Sequence, residues 1–299
     1  MTSPAPSALP VPQASEGKAW LAFAGCGAIW GSTFLVISIG NDALAPVWAA
    51  TLRLALAALL LAAVTVARGQ PLPRGPALRA AVGYGIAQFG INLPLLYWGE
   101  KVVPSGVSAV IYATIPFSSA LVARAFGLER LTPAKVLGAL LSFAGVAVLF
   151  SSALQRSIPI AGFAAIFVGA TAASIGTTLL KRGPRQDPFG ANAAGSAVGA
   201  VIAGAASFVL GEAHALPATL GAAWPLIYLT IGGSVGAYVL MSWLLGHWSV
   251  TRISYVTVIV PIIALMLGAA VRHEPLGGRS LLGSALVLGG LLLGMRSAK

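Results

Sequence analysis

The chain carries one long apolar run after another, and a run of about 20 apolar residues has few options beyond a membrane helix. Candidate spans lie at 18–39, 46–67, 77–99, 104–124, 134–152, 159–180, 188–210, 221–245, 250–271 and 279–296. Clusters of Gly, Pro and charge separate them, as at Arg68-Gly69-Gln70-Pro71 and Lys181-Arg182-Gly183-Pro184. Strands of a β-barrel would alternate apolar and polar residues, which these continuous runs do not. Charged residues make up 8% of the chain, against about 25% in soluble domains. The deficit runs the whole length, which excludes a soluble domain on a single anchor. The expected fold is an all-α polytopic membrane protein of about ten transmembrane helices.

The formal charge of +11 raises nucleic acid as a partner. The distribution of the charge points instead to membrane orientation. With the N-terminus inside, the cytoplasmic segments hold Lys18, Arg68, Arg74, Arg79, Arg124, Arg130, Lys135, Lys181, Arg182, Arg185, Arg252, Arg296 and Lys299. The opposite side holds only Lys101, Arg156, Arg272 and Arg279. That asymmetry follows the positive-inside rule, places both termini in the cytoplasm and suits a bacterial-type inner membrane. Residues 1–17 are rich in Pro, Ser and Ala and read as a disordered cytoplasmic tail. Phe23-Ala24-Gly25-Cys26 resembles a lipoprotein cleavage box, but the apolar run continues well past Cys26, so the segment reads as an uncleaved first helix. The single Cys permits no intrachain disulfide.

Self-similarity divides the chain. Trp98 matches Trp243, Pro116 matches Pro261, Glu129 matches Glu274, Gly138 matches Gly283 and Gly145 matches Gly290, each 145 positions apart. Earlier in each half, Ser32 matches Ser174 and Pro46 matches Pro188, at an offset of 142. The chain thus reads as a five-helix repeat over 18–152 and a second over 157–296. An odd number of helices sends the second copy through the membrane in the opposite direction. Inverted repeats of this kind are a common design of secondary transporters, with the substrate site near the midplane between the halves.

The duplicated unit, Trp30-Gly31-Ser32-Thr33-Phe34 in the first helix, and a mid-helix Pro followed by Glu129 or Glu274 resemble the EamA-type drug/metabolite transporter superfamily. The resemblance covers roughly residues 18–296. It implies a ten-helix bundle with cytoplasmic termini and export of small metabolites. Within the superfamily the chain is most similar to the aromatic amino-acid exporter branch. The second copy departs from the pattern, with Ala172-Ala173 in place of the Trp-Gly of the first.

The matched prolines mark candidate helix interruptions. Pro116 and Pro261 each remove a helix hydrogen bond and crowd the carbonyl four residues earlier, at Tyr112 and Thr257. In lipid, a freed carbonyl needs a partner or a wet cavity. The competing reading is a plain structural kink. Polar residues also recur at helical spacing: Tyr84, Gln88 and Asn92 in span three, Ser105, Ser108, Tyr112 and Ser119 in span four, Thr230, Ser234 and Tyr238 in span eight, Ser254 and Thr257 in span nine. Steps of three and four place each set on one face, and amides or hydroxyls are costly in lipid. For the serines and threonines, helix–helix hydrogen bonding is an equal alternative. Trp30, Tyr84, Tyr112, Tyr238 and Trp243 offer aromatic faces to an organic solute. The candidate substrate-binding set is therefore Trp30, Tyr84, Gln88, Asn92, Ser108, Tyr112, Tyr238, Trp243, Ser254 and Thr257. Small residues at steps of four, Ala191, Gly195, Gly199 and Ala203 in span seven and Gly290 and Gly294 in span ten, read as packing faces.

The seven acids and three histidines fall at span ends, in loops or in the tail. A proton-coupled pump places such groups inside the membrane, so facilitated transport is expected. Arg53 is the one charge clearly within a span, about 10 Å below Pro46. Snorkelling to the interface or bonding to helix carbonyls is preferred for it over a substrate carboxylate. No intramembrane His/Cys/Asp cluster suggests a metal, no phosphate-cradling Gly-rich loop suggests a nucleotide, and no cofactor is expected. The expected function is an alternating-access exporter of small organic metabolites, amino acids with aromatic or apolar side chains foremost. Broad drug or metabolite efflux is the alternative within transport, and an integral-membrane enzyme the alternative from another class. The expected partners are membrane lipid and the solute itself, and a monomer is compatible with this design.

Overall fold

The structure is a computed structural model that describes residues 16–127, 132–155, 159–245, 247–248 and 256–296. All its regular elements are helical. In chain order they are α1 (Glu16–Gly40), α2 (Pro46–Ala67), α3 (Gly75–Tyr84), a π-helical segment (Gly85–Ile91), α4 (Asn92–Gly99), α5 (Ser105–Tyr112) and α6 (Ile115–Ala125). There follow α7 (Pro133–Gln155), α8 (Ile160–Arg182), α9 (Pro188–Val209), α10 (Leu220–Tyr228), a second π-helical segment (Leu229–Gly236), α11 (Ala237–Leu245), α12 (Val256–Arg272) and α13 (Gly278–Arg296). Among the described residues six stretches are long and apolar enough to cross a membrane: α1, α2, Ser105–Val122, α8, α9 and Leu220–Met241. The protein is an all-α, multi-pass membrane protein.

The helix ends follow from local sequence. Pro46 opens α2 and Pro188 opens α9, positions where the missing N–H has no helical partner to lose. Both helices stop at a glycine with positive φ, Gly69 (67°) and Gly211 (65°). In each the next N–H reaches back five residues, from Gln70 to the Thr65 carbonyl at 3.0 Å and from Glu212 to the Ser207 carbonyl at 3.1 Å.

Carboxylates tie helices together at their ends. Glu274, beyond α12, accepts from the Ser105 and Gly106 N–H groups (2.8 and 3.1 Å) and from the Ser105 hydroxyl (2.7 Å). Glu212, beyond α9, accepts from the N–H groups of Val47 and Trp48 at the start of α2 (3.2 and 2.8 Å). Negative charge at a helix N-terminus meets orphan donors and the positive end of the dipole.

Between these ends the helices approach through glycine. The stripe Ala191, Gly195, Gly199, Ala203 is buried, as its spacing predicts. A Cβ on Gly195 would lie 3.1 Å from the Phe89 ring, and one on Gly85 would lie 2.7 Å from the Gly195 Cα. Helices α7 and α13 cross in the same way. A Cβ on Gly138 would lie 2.6 Å from the Gly290 carbonyl oxygen, and one on Gly145 would lie 2.6 Å from that of Gly283. Between them the Ser142 hydroxyl donates to the Val287 carbonyl at 3.0 Å.

The helix interruptions differ from the sequence expectation. Pro116 occupies the second position of α6, after the chain has broken at Ala113–Thr114, so it restarts a helix rather than kinking one. Pro261 lies inside a continuous α12. The sequence reading has no counterpart for the two π-helical segments, which fall in glycine-rich stretches (Gly83, Gly85, Gly90; Gly232, Gly233, Gly236).

The crossing of α7 and α13 generates a paired prediction. Gly290→Ala should destabilise the protein by about 1–3 kcal/mol, because the methyl meets the Gly138 carbonyl and the Ser142 hydroxyl. Gly289→Ala, whose Cβ meets only Leu141 Cδ2 at 3.9 Å, should be neutral or stabilising by up to about 1 kcal/mol. Thermal melts of the two variants in detergent check the contrast.

Candidate functional site

A cavity of about 550 Å³ lies within the bundle. Helix α1 lines it with Trp30, Thr33 and Phe34, and α2 with Arg53. The first π-helical segment contributes Gln88 and Phe89, and α4 contributes Asn92, Leu93 and Leu96. Ala109, Tyr112, Ala113 and Ile115 come from α5 and the break after it, Ala173 and Thr177 from α8. Gly233 and Ser234 of the second π-helical segment, Met241 of α11, and Val256, Thr257, Val260 and Pro261 of α12 complete the wall. Five lining pairs stand 145 positions apart: Gln88 and Gly233, Phe89 and Ser234, Leu96 and Met241, Tyr112 and Thr257, Ile115 and Val260.

One wall is a fixed polar group backed by aromatics. Asn92 is 1% exposed. Its side-chain oxygen accepts from the Tyr112 hydroxyl, and its Nδ2 donates to the Gln88 carbonyl at 3.2 Å. The Tyr112 ring stands edge-on to Phe34, with centroids 5.4 Å apart and planes at 78°. These contacts hold the phenol with little freedom, so the wall is preformed.

Arg53 also lines the cavity and does not snorkel. It is 7% exposed; its Nε donates to the Ser234 hydroxyl and its Nη1 to the Tyr97 hydroxyl, both at 3.3 Å. Ser234 in turn donates to the Leu229 carbonyl at 3.2 Å, an arrangement that the π-helical segment makes available. The sequence reading favoured the interface or helix carbonyls; the arginine instead finds side-chain hydroxyls and a cavity, because those partners come from distant helices. Among the described residues no carboxylate pairs with it. It is also the single charged side chain among the described lining residues.

The structure brings Trp30, Gln88, Asn92, Tyr112, Thr257 and Pro261 to this cavity. It places four others elsewhere. The Tyr84 hydroxyl donates to Asn192 Oδ1 on α9 at 3.0 Å, and its ring meets Phe89 on its other side. Ser108 donates to the Pro104 carbonyl at 3.2 Å, near the end of α5. Trp243 stacks on His247, with centroids 4.1 Å apart. Pro116 stands one residue beyond the lining residue Ile115. Ser254 and the Tyr238 side chain lie outside the described residues. Thr33, Phe34, Arg53, Thr177 and Ser234 were not in the expected set. Thr33 and Phe34 carried a signal, since they follow Trp30 by three and four positions.

Near the far end of α5 sits a carboxyl that span counting assigned to a loop. Glu100 follows α4, yet it is 4% exposed and neither of its carboxyl oxygens has a hydrogen-bond partner among the described residues. Burial pushes its pKa well above the usual carboxylate range, and the nearby Glu274 carboxylate pushes in the same direction. The folded protein therefore binds this proton more tightly than the unfolded chain, and stability falls as pH rises from about 4.5 toward the raised value. Glu100→Gln removes that dependence. The melting temperature of this variant relative to the native protein should rise between pH 5 and pH 8, by about 1–3 °C for each kcal/mol recovered.

The sequence profile of the EamA-like transporter family matches residues 17–151 and again residues 160–296. An uncharacterized transporter of Archaeoglobus fulgidus is 27% identical over 284 residues, which cover 93% of this chain and 99% of that protein. A probable amino-acid metabolite efflux pump of Escherichia coli K12 is 29% identical over 280 residues, 89% of this chain and 90% of its own length. A solved crystal structure superposes with a TM-score of 0.63 at 20% identity, covering 95% of this chain and 99% of that one, and so shares the fold. Among the described residues no group of three His, Cys, Asp or Glu side chains could hold a metal ion. With both halves matched, the chain belongs to the EamA-like transporter family and is a secondary transporter of small organic metabolites.

Proposed function

We propose that this protein exports amino acids with aromatic or apolar side chains across an inner membrane by alternating access, driven by the metabolite gradient alone. The carrying observation is the cavity between the two matched stretches, walled by Trp30, Phe34 and Tyr112 beside the amides of Gln88 and Asn92. Its volume of about 550 Å³ lies within the range of small-molecule sites. Rings supply an apolar surface, and the amides and Thr257 orient polar groups. We assign the substrate site to Trp30, Gln88, Asn92, Tyr112 and Thr257, with Tyr238 and Ser254 as further members. The amino-acid efflux relative favours the same solute class.

Alternating access in this reading comes from ten crossings arranged as two inverted five-helix repeats, about 18–152 and 157–296. Several reciprocal features support it. Gly138 meets Gly290 while Gly145 meets Gly283, so each contact maps onto the other when the halves are exchanged. The π-helical segments, Gly85–Ile91 and Leu229–Gly236, occupy matching places. Contacts between helix ends also respect the expected sides. Arg68 pairs with Asp187 at 3.1 Å at ends assigned to the cytoplasm. Arg272 pairs with Asp42 at 2.6 Å at ends assigned to the other face, where Glu212 and Glu274 also make their caps.

Two measurements test the proposal. Proteoliposomes preloaded with unlabelled amino acid should accumulate labelled Phe, Trp, Thr or Met by counterflow, without substrate-dependent proton movement. Failure of all four while another metabolite exchanges would remove the substrate assignment and leave the carrier. A matched proton flux would remove the facilitative one, with Glu100 the first group to replace. In a Cys26→Ala background, Gly17→Cys should react only with permeant thiol reagents in intact cells, and Leu276→Cys also with impermeant ones; the reverse pattern inverts the topology.

A further inference from the structure

Arg53 presents a problem of charge balance. A guanidinium held inside a membrane protein is costly unless its charge and its N–H groups are met. Its Nε and Nη1 have hydroxyl acceptors in Ser234 and Tyr97. Hydroxyls satisfy hydrogen bonds but supply no negative charge. Its remaining nitrogen, Nη2, has no acceptor among the described residues and lies beside Gly233, where a Cβ would stand 3.2 Å from it. The absence of a side chain at position 233 keeps that edge of the fork open to the cavity. Thr33 Oγ1 lies 3.5 Å from the same point.

We propose that Arg53 is the receptor for a carboxylate on the transported solute, which makes the substrate class small organic acids, amino acids included, with an apolar or aromatic group at the other end. This rests on the carrier reading above and narrows it. The carboxylate lies against Nη2 over Gly233 and supplies the counter-charge that no described residue provides. The two hydroxyls fix the plane of the guanidinium before the solute arrives, so little orientation is lost on binding. The rings of Trp30, Phe34 and Tyr112 take the apolar end, and their faces tolerate an ammonium group if one is present. A single arginine matches a single carboxylate; phosphorylated solutes would need more positive charge than the described lining offers.

The test separates the carboxylate from the rest of the solute. Binding of L-phenylalanine, 3-phenylpropionate and phenethylamine to the purified full-length protein is measured by ligand-induced thermal shift and by competition in the counterflow assay. The native protein should bind both acids at least about tenfold more tightly than the amine. Arg53→Gln should weaken both acids by about ten- to a hundredfold and leave the amine unchanged. Gly233→Ala keeps the arginine but covers Nη2, and should weaken the acids selectively by a smaller factor; it serves if the Arg53 variant does not fold. An unchanged ratio of acid to amine in a folded variant overturns the proposal. So does a native protein that binds neither acid while another solute exchanges, a result that leaves the carrier standing. If no solute exchanges at all, the carrier reading falls and this inference with it.

Discussion

Lipid offers no hydrogen bonds, so every polar group that leaves the water here must be met by another part of the chain or by a cavity. That constraint organises the structure more than hydrophobic burial does, because leucine is nearly as comfortable in lipid as in the bundle. Helices therefore associate where backbones can approach closely and where polar groups need company. Gly138 on Gly290, Gly85 on Gly195 and Gly199 on Phe89 are contacts of the first kind. The Ser142 to Val287 and Tyr84 to Asn192 hydrogen bonds are contacts of the second. The cavity is where the same demand is left for a solute to complete.

The acids show the constraint at the helix ends. Read from sequence, they were notable for sitting outside the spans, and the inference drawn was about what they do not do. The structure gives several of them a positive role. Glu212 holds the start of α2 and Glu274 the start of α5, each reaching from a helix end remote in sequence. In the matched proline and glutamate positions, Pro116 restarts a helix and Glu274 locks the terminus of a neighbouring one. Glu129, the mate of Glu274, lies outside the described residues.

Much of the fold was legible because its cause is local. Long apolar runs, Pro46 and Pro188 at helix starts, and glycines at steps of four need only their own neighbours to be interpreted. The candidate site was half legible for the same reason. Trp30, Gln88, Asn92, Tyr112 and Thr257 lie on faces set by helical period, and the cavity collects them. What sequence could not show was which faces meet. Tyr84 shares a face with Gln88 on an ideal helix, but the π-helical segment that begins at Gly85 widens the turn, and Tyr84 turns to Asn192 instead. Arg53 was read by its depth alone, which points to snorkelling. Its partners Tyr97 and Ser234 lie 44 and 181 positions away. No local rule finds them.

The divergence of the two halves then acquires a physical reason. Two inverted copies provide interchangeable shapes, which is what a carrier needs in order to move. A small organic solute has no such symmetry, so a site formed by identical copies would recognise it poorly. The residue matched to Arg53 at the offset of 142 is Gly195. One carries the only charge among the described lining residues; the other has no side chain and lets α9 close on Gly85 and Phe89. Likewise Gln88 faces the cavity where its mate is Gly233, and that glycine is what leaves the Arg53 fork uncovered. At these two pairs a polar side chain in one half is matched by a glycine in the other. Divergence at these pairs gives the cavity its chemistry, while the matched glycines at α7 and α13 keep the packing on which the proposed exchange of shapes would depend.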